Sequence, residues 1–329
     1  MSGLMRMVDG PDVTALVTQQ DALAAAREAA LAAAVPGRVV TGRVQVDWDQ
    51  GESGTRFLVV ALPDLGVFGY KQFHWIGDGV HYACHLFSTE DGAPLGVVDA
   101  AALTTLRTAA TAALGVQALH RGSGDATVAV IGSGAEARAG LRALAAVTDI
   151  GEARVTSRNP ANREAFAADM ATELGLKVVA VDSVRAAVKD AHIAYSATAS
   201  NGPVVYRAQD IEGLPVLASI GSTAPDQREA AGDVFTSAGV VLIDTTDALH
   251  ESGDLIEARD RFGFDSARAL LLGTALEVPP TAADDRTAVF KSIGSPEQDV
   301  VLALHILRRA EQQERGRLVQ PAMSRKQNL

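Results

Sequence analysis

Residues 126–137 read Ala-Thr-Val-Ala-Val-Ile-Gly-Ser-Gly-Ala-Glu-Ala, a β-branched apolar run that enters a glycine turn and then a helical segment. This order of strand, tight turn and helix opens a βαβ unit and exposes backbone N–H groups at the helix start. Gly132 permits the tight turn, Gly134 lets the backbone approach a pyrophosphate, and Ala137 takes the third, close-packing position. A helix over residues 135–149 turns its partial positive charge toward the anion, which places Ala135 and Glu136 beside it. The pattern predicts dinucleotide binding.

A second apolar run, residues 153–157, ends where the second strand of such a unit meets the adenosine ribose. An acidic side chain there would hydrogen-bond the ribose 2′-hydroxyl of NAD. This chain has Ser157-Arg158-Asn159 instead. The Arg158 guanidinium suits a 2′-phosphate, which an acid would repel, so NADP(H) is favoured over NAD(H).

The remaining composition excludes several classes. With 329 residues, 47% hydrophobic and 21% charged, the chain can bury a large core and divides into two domains. A net charge of −11 disfavours nucleic acid or an anionic membrane as partner. A single cysteine, Cys84, rules out an intrachain disulfide and a multi-cysteine metal site. The seven histidines show no zinc-type spacing, so no metal is expected. With no span-length apolar run and no signal-type start, the expected location is cytoplasmic.

Along the chain, residues 17–34 carry Leu23, Ala26, Ala30 and Ala33 at helical spacing and end at Pro36-Gly37. Strands are predicted over residues 39–48, 55–62, 69–75, 80–88 and 95–99, with a hairpin turn at Asp91-Gly92. Residues 103–120 return to helix, and from 126 to 244 strand and helix alternate as in a parallel sheet. Ser295, as N-cap, and Pro296 open a last helix to about residue 314, with apolar Val300, Val301, Leu304 and Leu307. Residues from Arg315 onward are polar and expected to be disordered. The fold class is therefore α/β, a Rossmann dinucleotide-binding domain (residues 121–294) inserted into an α+β substrate-binding and dimerisation domain (residues 1–120 plus 295–329).

Several segments together resemble one family. They are Gly69-Tyr70-Lys71, residues 103–110 (Leu-Thr-Thr-Leu-Arg-Thr-Ala-Ala), the glycine fingerprint, residues 221–229 (Gly-Ser-Thr-Ala-Pro-Asp-Gln-Arg-Glu) and residues 289–294 (Val-Phe-Lys-Ser-Ile-Gly). In this order they are similar to the ornithine cyclodeaminase and mu-crystallin family, over nearly the whole chain. The resemblance implies that Lys71 and Arg107 bind a substrate carboxylate, with Arg43 as third cation and Arg38 as its alternative. It implies that Asp226 is the catalytic acid/base, with Lys71 beside the reaction. Arg107, Thr108, Thr198, Ser222 and Ser292 then line the cofactor from pyrophosphate to nicotinamide. It further implies a homodimer built through the sheet of the first domain.

The reaction so implied is NADPH-dependent reduction of a 2-imino acid or cyclic ketimine carboxylate, of the Δ1-pyrroline-2-carboxylate or Δ1-piperideine-2-carboxylate type, to the amino acid. A cyclodeaminase acting on ornithine or lysine with NAD uses the same atoms with no net redox change. An alanine-type amino-acid dehydrogenase and a non-catalytic NADPH-dependent ligand-binding protein also share these residues. Arg158 favours the reductase. Departures from the family pattern are Glu136, where Gln is usual, His192, where Asp commonly precedes the fourth strand, and Gln72-Phe73-His74-Trp75 after Lys71. His74 is a candidate substrate contact or auxiliary proton carrier, but an ordinary strand position is the simpler reading.

Overall fold

The structure, a computed structural model, describes residues 4–77, 79–198, 202–280 and 285–323. In chain order the elements begin β1 (Met5–Val8), α1 (Gly10–Leu16), α2 (Gln19–Ala33), β2 (Val40–Trp48), β3 (Ser53–Leu62), β4 (Val67–Ile76), β5 (Gly79–Ser88), β6 (Pro94–Asp99) and α3 (Ala100–Leu119). There follow β7 (Ala126–Ile131), α4 (Ala135–Ala145), β8 (Ile150–Thr156), α5 (Pro160–Leu174), β9 (Lys177–Ala180), α6 (Val184–Val188), β10 (Ile193–Ser196), β11 (Val216–Ser219), α7 (Asp233–Ser237) and β12 (Val240–Ile243). The chain ends with α8 (Ala248–Glu251), α9 (Gly253–Phe262), β13 (Ala269–Leu271), α10 (Leu272–Glu277), β14 (Ala288–Lys291), α11 (Pro296–Gln312) and β15 (Arg317–Val319).

Two compact units result, residues 1–107 with 295–329 and residues 108–294. The boundary falls inside α3, between Arg107 and Thr108, not after residue 120. A continuous helix carries no turn residues to mark the change, so sequence punctuation places it too late.

In the first unit the sheet order is β15-β1-β6-β5-β4-β3-β2. β2 through β6 form an antiparallel meander, and β1 joins β6 in parallel. Gly92, with φ +74°, takes the left-handed conformation in the turn before β6. One face packs on α11, α1 and α2 through Val60, Leu62, Leu86, Val98, Val301 and Leu304. α2 begins with a capping box in which the Thr18 hydroxyl accepts from Asp21 N and Asp21 accepts in return. Ser295 stands at the N-cap of α11, but its side chain makes no cap hydrogen bond. The residues after Arg315 also differ from expectation. Residues 317–319 pair antiparallel with β1, because an edge strand needs backbone hydrogen bonds and no apolar pattern. Residues 324–329 lie outside the described residues.

In the second unit the sheet is wholly parallel, in the order β13-β12-β14-β11-β10-β7-β8-β9. Strands β7 and β10 are neighbours from which the order runs outward in both directions. Their carboxyl ends are the switch point where such sheets bind ligands. α4 ends at Ala145, short of residue 149. Among the described residues no helix is long and apolar enough to cross a membrane.

Candidate active site

In the first unit, strand register places the chemistry on one sheet face. Arg43, Leu58, Lys71 and Cys84 lie in one cross-strand row, and Gln45, Arg56, Phe73 and Tyr82 in the next. Residues opposite one another, or two apart on a strand, share a face. Lys71 is 1% exposed, and its Nζ donates to Asp299 Oδ1 at 2.9 Å and stands 2.8 Å from Oδ2. Arg107 Nε donates to Asp299 Oδ1 at 2.9 Å and Arg107 Nη1 to Gln298 Oε1 at 3.3 Å. Two buried cations therefore face one buried carboxylate.

Burial pulls the Lys71 ammonium down to about 8, against the opposing pull of Asp299, and Arg107 lowers it further. Cys84, opposite Lys71 and also buried, has its thiol pushed well up by burial and then by Asp299. It is a packing residue and not a nucleophile. Lys71 Nζ lies 5.8 Å from the centroid of the Phe73 ring, which stacks on Tyr82 at 5.3 Å.

His74 occupies the opposite face of the sheet, where it stacks on His81 at 5.2 Å. The period of two along β4 turns it away from Lys71, so as a substrate contact on that face it is ruled out. Arg43 is half-buried on β2, whereas Arg38 pairs with Asp64 at 2.7 Å outside any strand. Arg43 is therefore the one that shares the Lys71 face.

In the second unit the dinucleotide elements assemble at the ends of β7 and β8. Gly132 has φ +118°, and a Cβ there would lie 2.2 Å from Ala197 O at the end of β10. Only glycine fits this crossing. Gly134 is the N-cap of α4 with no side-chain cap, and a Cβ built on it meets nothing within 4 Å. The first N–H groups of α4, from Ala135 onward, thus face open space, which fits a pyrophosphate. Close helix–strand packing falls at Gly140, where a Cβ would lie 2.2 Å from the Tyr195 ring, beside the buried Ala137. Glu136 acts on that same Tyr195, whose hydroxyl is pushed up by burial first and Glu136 second. Its charge bears on the domain interior.

At the end of β8, Ser133 Oγ donates to Ser157 Oγ at 3.0 Å, joining the glycine turn to the ribose end of the site. Asn159 caps α5 through Oδ1 to Ala161 N at 2.9 Å, and Arg158 is exposed. Arg163 Nη1 donates to Ser157 O at 3.0 Å, a second guanidinium at this position that sequence reading passed over.

A buried anionic cluster braces the switch point. Glu229 accepts from Ser196 Oγ (2.6 Å), Thr198 N (2.8 Å) and Thr198 Oγ1 (2.9 Å) on one oxygen, and from Ser219 Oγ (2.9 Å) and Gly221 N (3.0 Å) on the other. Its own N–H donates to Asp254 Oδ1 at 2.8 Å, and Asp254 Oδ2 pairs with Lys291 Nζ at 3.0 Å. Burial raises Asp254 despite Lys291. Ser222 Oγ donates to Gln227 O at 2.7 Å, holding the turn that carries the exposed Asp226. Ser292 Oγ donates to Asp244 Oδ2 at 2.7 Å. The hydroxyls of Thr198, Ser222 and Ser292 therefore shape the loops. Thr108 is half-buried on α3.

Besides Arg163, sequence reasoning missed Asp299 and Glu229. Asp299, in the first turn of α11, reads as a helix-dipole partner. Glu229 closes a quoted family stretch, but its partners lie on other strands. Among the described residues no cluster of His, Cys, Asp or Glu could hold a metal ion.

The model of the ornithine cyclodeaminase/mu-crystallin family matches residues 78–314. Ketimine reductase mu-crystallin of Mus musculus is 29% identical over 220 residues, 66% of this chain and 66% of that protein, so the match spans just under two thirds of its length. A Delta(1)-pyrroline-2-carboxylate reductase of Bacillus cereus is 25% identical over 257 residues, 77% of this chain and 76% of that protein. The structure of Thermococcus litoralis Delta(1)-pyrroline-2-carboxylate reductase, in complex with NADH and L-proline, matches 96% of this chain and 100% of its own with a TM-score of 0.88 at 23% identity, a likeness of fold.

Proposed function

This chain belongs to the ornithine cyclodeaminase/mu-crystallin family, and we propose that it reduces 2-imino acids or cyclic ketimine carboxylates to amino acids with NADPH. The observation that carries this reading is the cluster of Lys71 and Arg107 around Asp299. Two desolvated cations against one carboxylate leave a charge that one substrate carboxylate neutralises. Arg43 shares the Lys71 face and serves as the third cation.

The nicotinamide, when bound, supplies the hydride for the imine carbon C2. With that hydride on C2 and a proton on nitrogen, the C=N π bond of the imine would be lost and the amino acid formed. Lys71 and Arg107 hold the carboxylate so that C2 keeps a fixed position. Asp226, exposed on its turn, gives the proton to nitrogen. The N–H groups after Gly134 would hold the pyrophosphate, and Arg158 the 2′-phosphate. Thr108, Thr198, Ser222 and Ser292 form the wall along the dinucleotide. The protein acts as a cytoplasmic homodimer through the first unit's sheet. Val40, Val44 and Val46 on β2 are each more than half exposed and support that reading.

Loss of NADPH absorbance with Δ1-pyrroline-2-carboxylate and Δ1-piperideine-2-carboxylate, run beside NADH and beside pyruvate with ammonium or methylamine, tests the proposal. Turnover establishes the reductase and its cofactor. Silence with every imine, followed by ammonia release from ornithine or lysine with NAD, replaces it with the cyclodeaminase. Arg158→Asp should move the NADPH-to-NADH preference by at least tenfold toward NADH, and an unchanged ratio overturns the cofactor assignment. Asp226→Asn should leave NADPH affinity within twofold while kcat falls about 10²-fold.

A further inference from the structure

We propose that Arg163 is the fixed half of a two-guanidinium clamp for the 2′-phosphate of NADP(H), with the exposed Arg158 as the movable half, so that Arg163 sets the cofactor preference. This deepens the NADPH reading and rests on it.

The start of α5 fixes where this side chain goes. Pro160 stands at the first helical position, Asn159 Oδ1 accepts from Ala161 N at 2.9 Å, and Arg163 N closes the first turn on Asn159 O at 3.2 Å. Side chains on a helix lean toward its N-terminus, so Arg163 reaches back over the loop that joins β8 to α5. There its Nη1 donates to Ser157 O at 3.0 Å. Ser157 is itself held twice, since its Oγ accepts from Ser133 Oγ at 3.0 Å and donates to Asn159 O at 3.2 Å. The Arg163 guanidinium is therefore anchored one residue from Arg158, at the strand end where a βαβ unit meets the ribose, and Ser133 ties that point to the glycine turn.

What remains on the anchored group suits a phosphate. Nη1 is engaged by Ser157 O, while Nε and Nη2 make no hydrogen bond among the described residues. A guanidinium presents its donors in a planar fork that matches phosphate oxygens. Arg163 is half-buried, which strengthens a charge-assisted bond and limits the rotamer freedom lost on binding. Arg158 is exposed, so the ligand must order it. Charge balance points the same way, because a phosphate monoester bears about −1.5 to −2 at pH 7, which two guanidiniums match and one does not.

Fluorescence titration of the protein with NADPH and with NADH, which differ only in the 2′-phosphate, tests the clamp without turnover. The native protein should bind NADPH about tenfold or more tighter than NADH. Arg163→Met should weaken NADPH about 10- to 30-fold and NADH less than about twofold, whereas Arg158→Met should weaken NADPH only about three- to fivefold. Arg163→Lys keeps the stem and a donor for Ser157 O but loses the fork, so it should recover part of the NADPH affinity. Thermal melts check that each variant is folded, and Arg163→Lys carries the test if Arg163→Met is not. Added salt should reduce the NADPH preference of the native protein more than that of Arg163→Met. An unchanged NADPH-to-NADH ratio in the Arg163 variants, whether through equal losses or none, overturns the clamp and leaves the NADPH reading standing on Arg158. A native protein that binds NADH as tightly as NADPH overturns that reading as well, and binding of neither overturns the dinucleotide site.

Discussion

The two buried ionic clusters are near mirror images in charge. In the first unit two cations, Lys71 and Arg107, surround one carboxylate, Asp299. In the second, two carboxylates, Glu229 and Asp254, lie together, and one lysine, Lys291, pairs with Asp254. The difference lies in what completes them. Neutral donors on two strand ends and their loops saturate Glu229, so its charge is held in place by hydrogen bonds internal to the fold. Lys71, by contrast, has Asp299 as its ion-pair partner and Thr104 Oγ1 at 3.4 Å, and its proton is loosened to about 8. A cluster finished from inside braces a fold, while one left a charge short is built to meet a ligand.

The two lysines test that contrast most directly. Lys291→Met strands the buried Asp254 carboxylate, and should cost about 3–5 kcal/mol of unfolding free energy in urea titration. Lys71→Met leaves Arg107 and Asp299 as a neutral pair, so stability should move by less than about 1 kcal/mol. Carboxylate affinity should nevertheless fall on the order of 100-fold, read by calorimetry. If Lys71→Met unfolds the protein as Lys291→Met does, the distinction between a bracing and a binding cluster fails.

A smaller effect sharpens the comparison through pH. The Lys71 ammonium titrates near 8 in the folded chain against an ordinary 10.5. Between those values the unfolded chain holds more protons, so stability should rise with pH across that window. Affinity for a carboxylate with no other titrating group should fall over the same window, about tenfold per pH unit, because the charged form binds it. Lys71→Arg, always protonated, should flatten both profiles. Opposite slopes of melting temperature and affinity are the expected signature, and parallel slopes would refute it.

The smallest effect concerns the start of α11, the helix that carries Asp299. Thr18 caps α2 through its hydroxyl, whereas Ser295 makes no such bond. Thr18→Ala should lower stability by about 1 kcal/mol and Ser295→Ala by less than about 0.5 kcal/mol, measured by thermal melts.

Much of this was legible from residue patterns. The meander over residues 40–99 follows its β-branched alternation and glycine punctuation to within two residues at each end, and Gly132 and Gly134 sit at the turn their spacing demands. The family resemblance, not the residue pattern, names Lys71 and Arg107 as cations, and they prove to share a partner. That partner was not legible, because Asp299 meets Lys71 across a sequence separation of 228 residues. Strand faces were equally hidden. His74 and Phe73 are consecutive and chemically inviting, yet only strand register tells that Phe73 joins Lys71 while His74 turns away. The short strands β1 and β15 escaped for another reason, since each is held by backbone pairing with little apolar pattern of its own.

The return of the chain to its first unit has a consequence for how the molecule is made. Val300, Val301, Leu304 and Leu307 of α11 belong to the same core as Leu62 and Leu86, and Asp299 rides on that helix. During translation the meander emerges long before this helix does, with Lys71 still lacking its counter-ion. The inserted unit is contiguous, and its whole sheet leaves the ribosome before α11 does. Synthesis at about 5–20 residues per second therefore leaves an interval of many seconds in which the earlier-made half waits for the last-made one. The part of the protein that begins first is completed last.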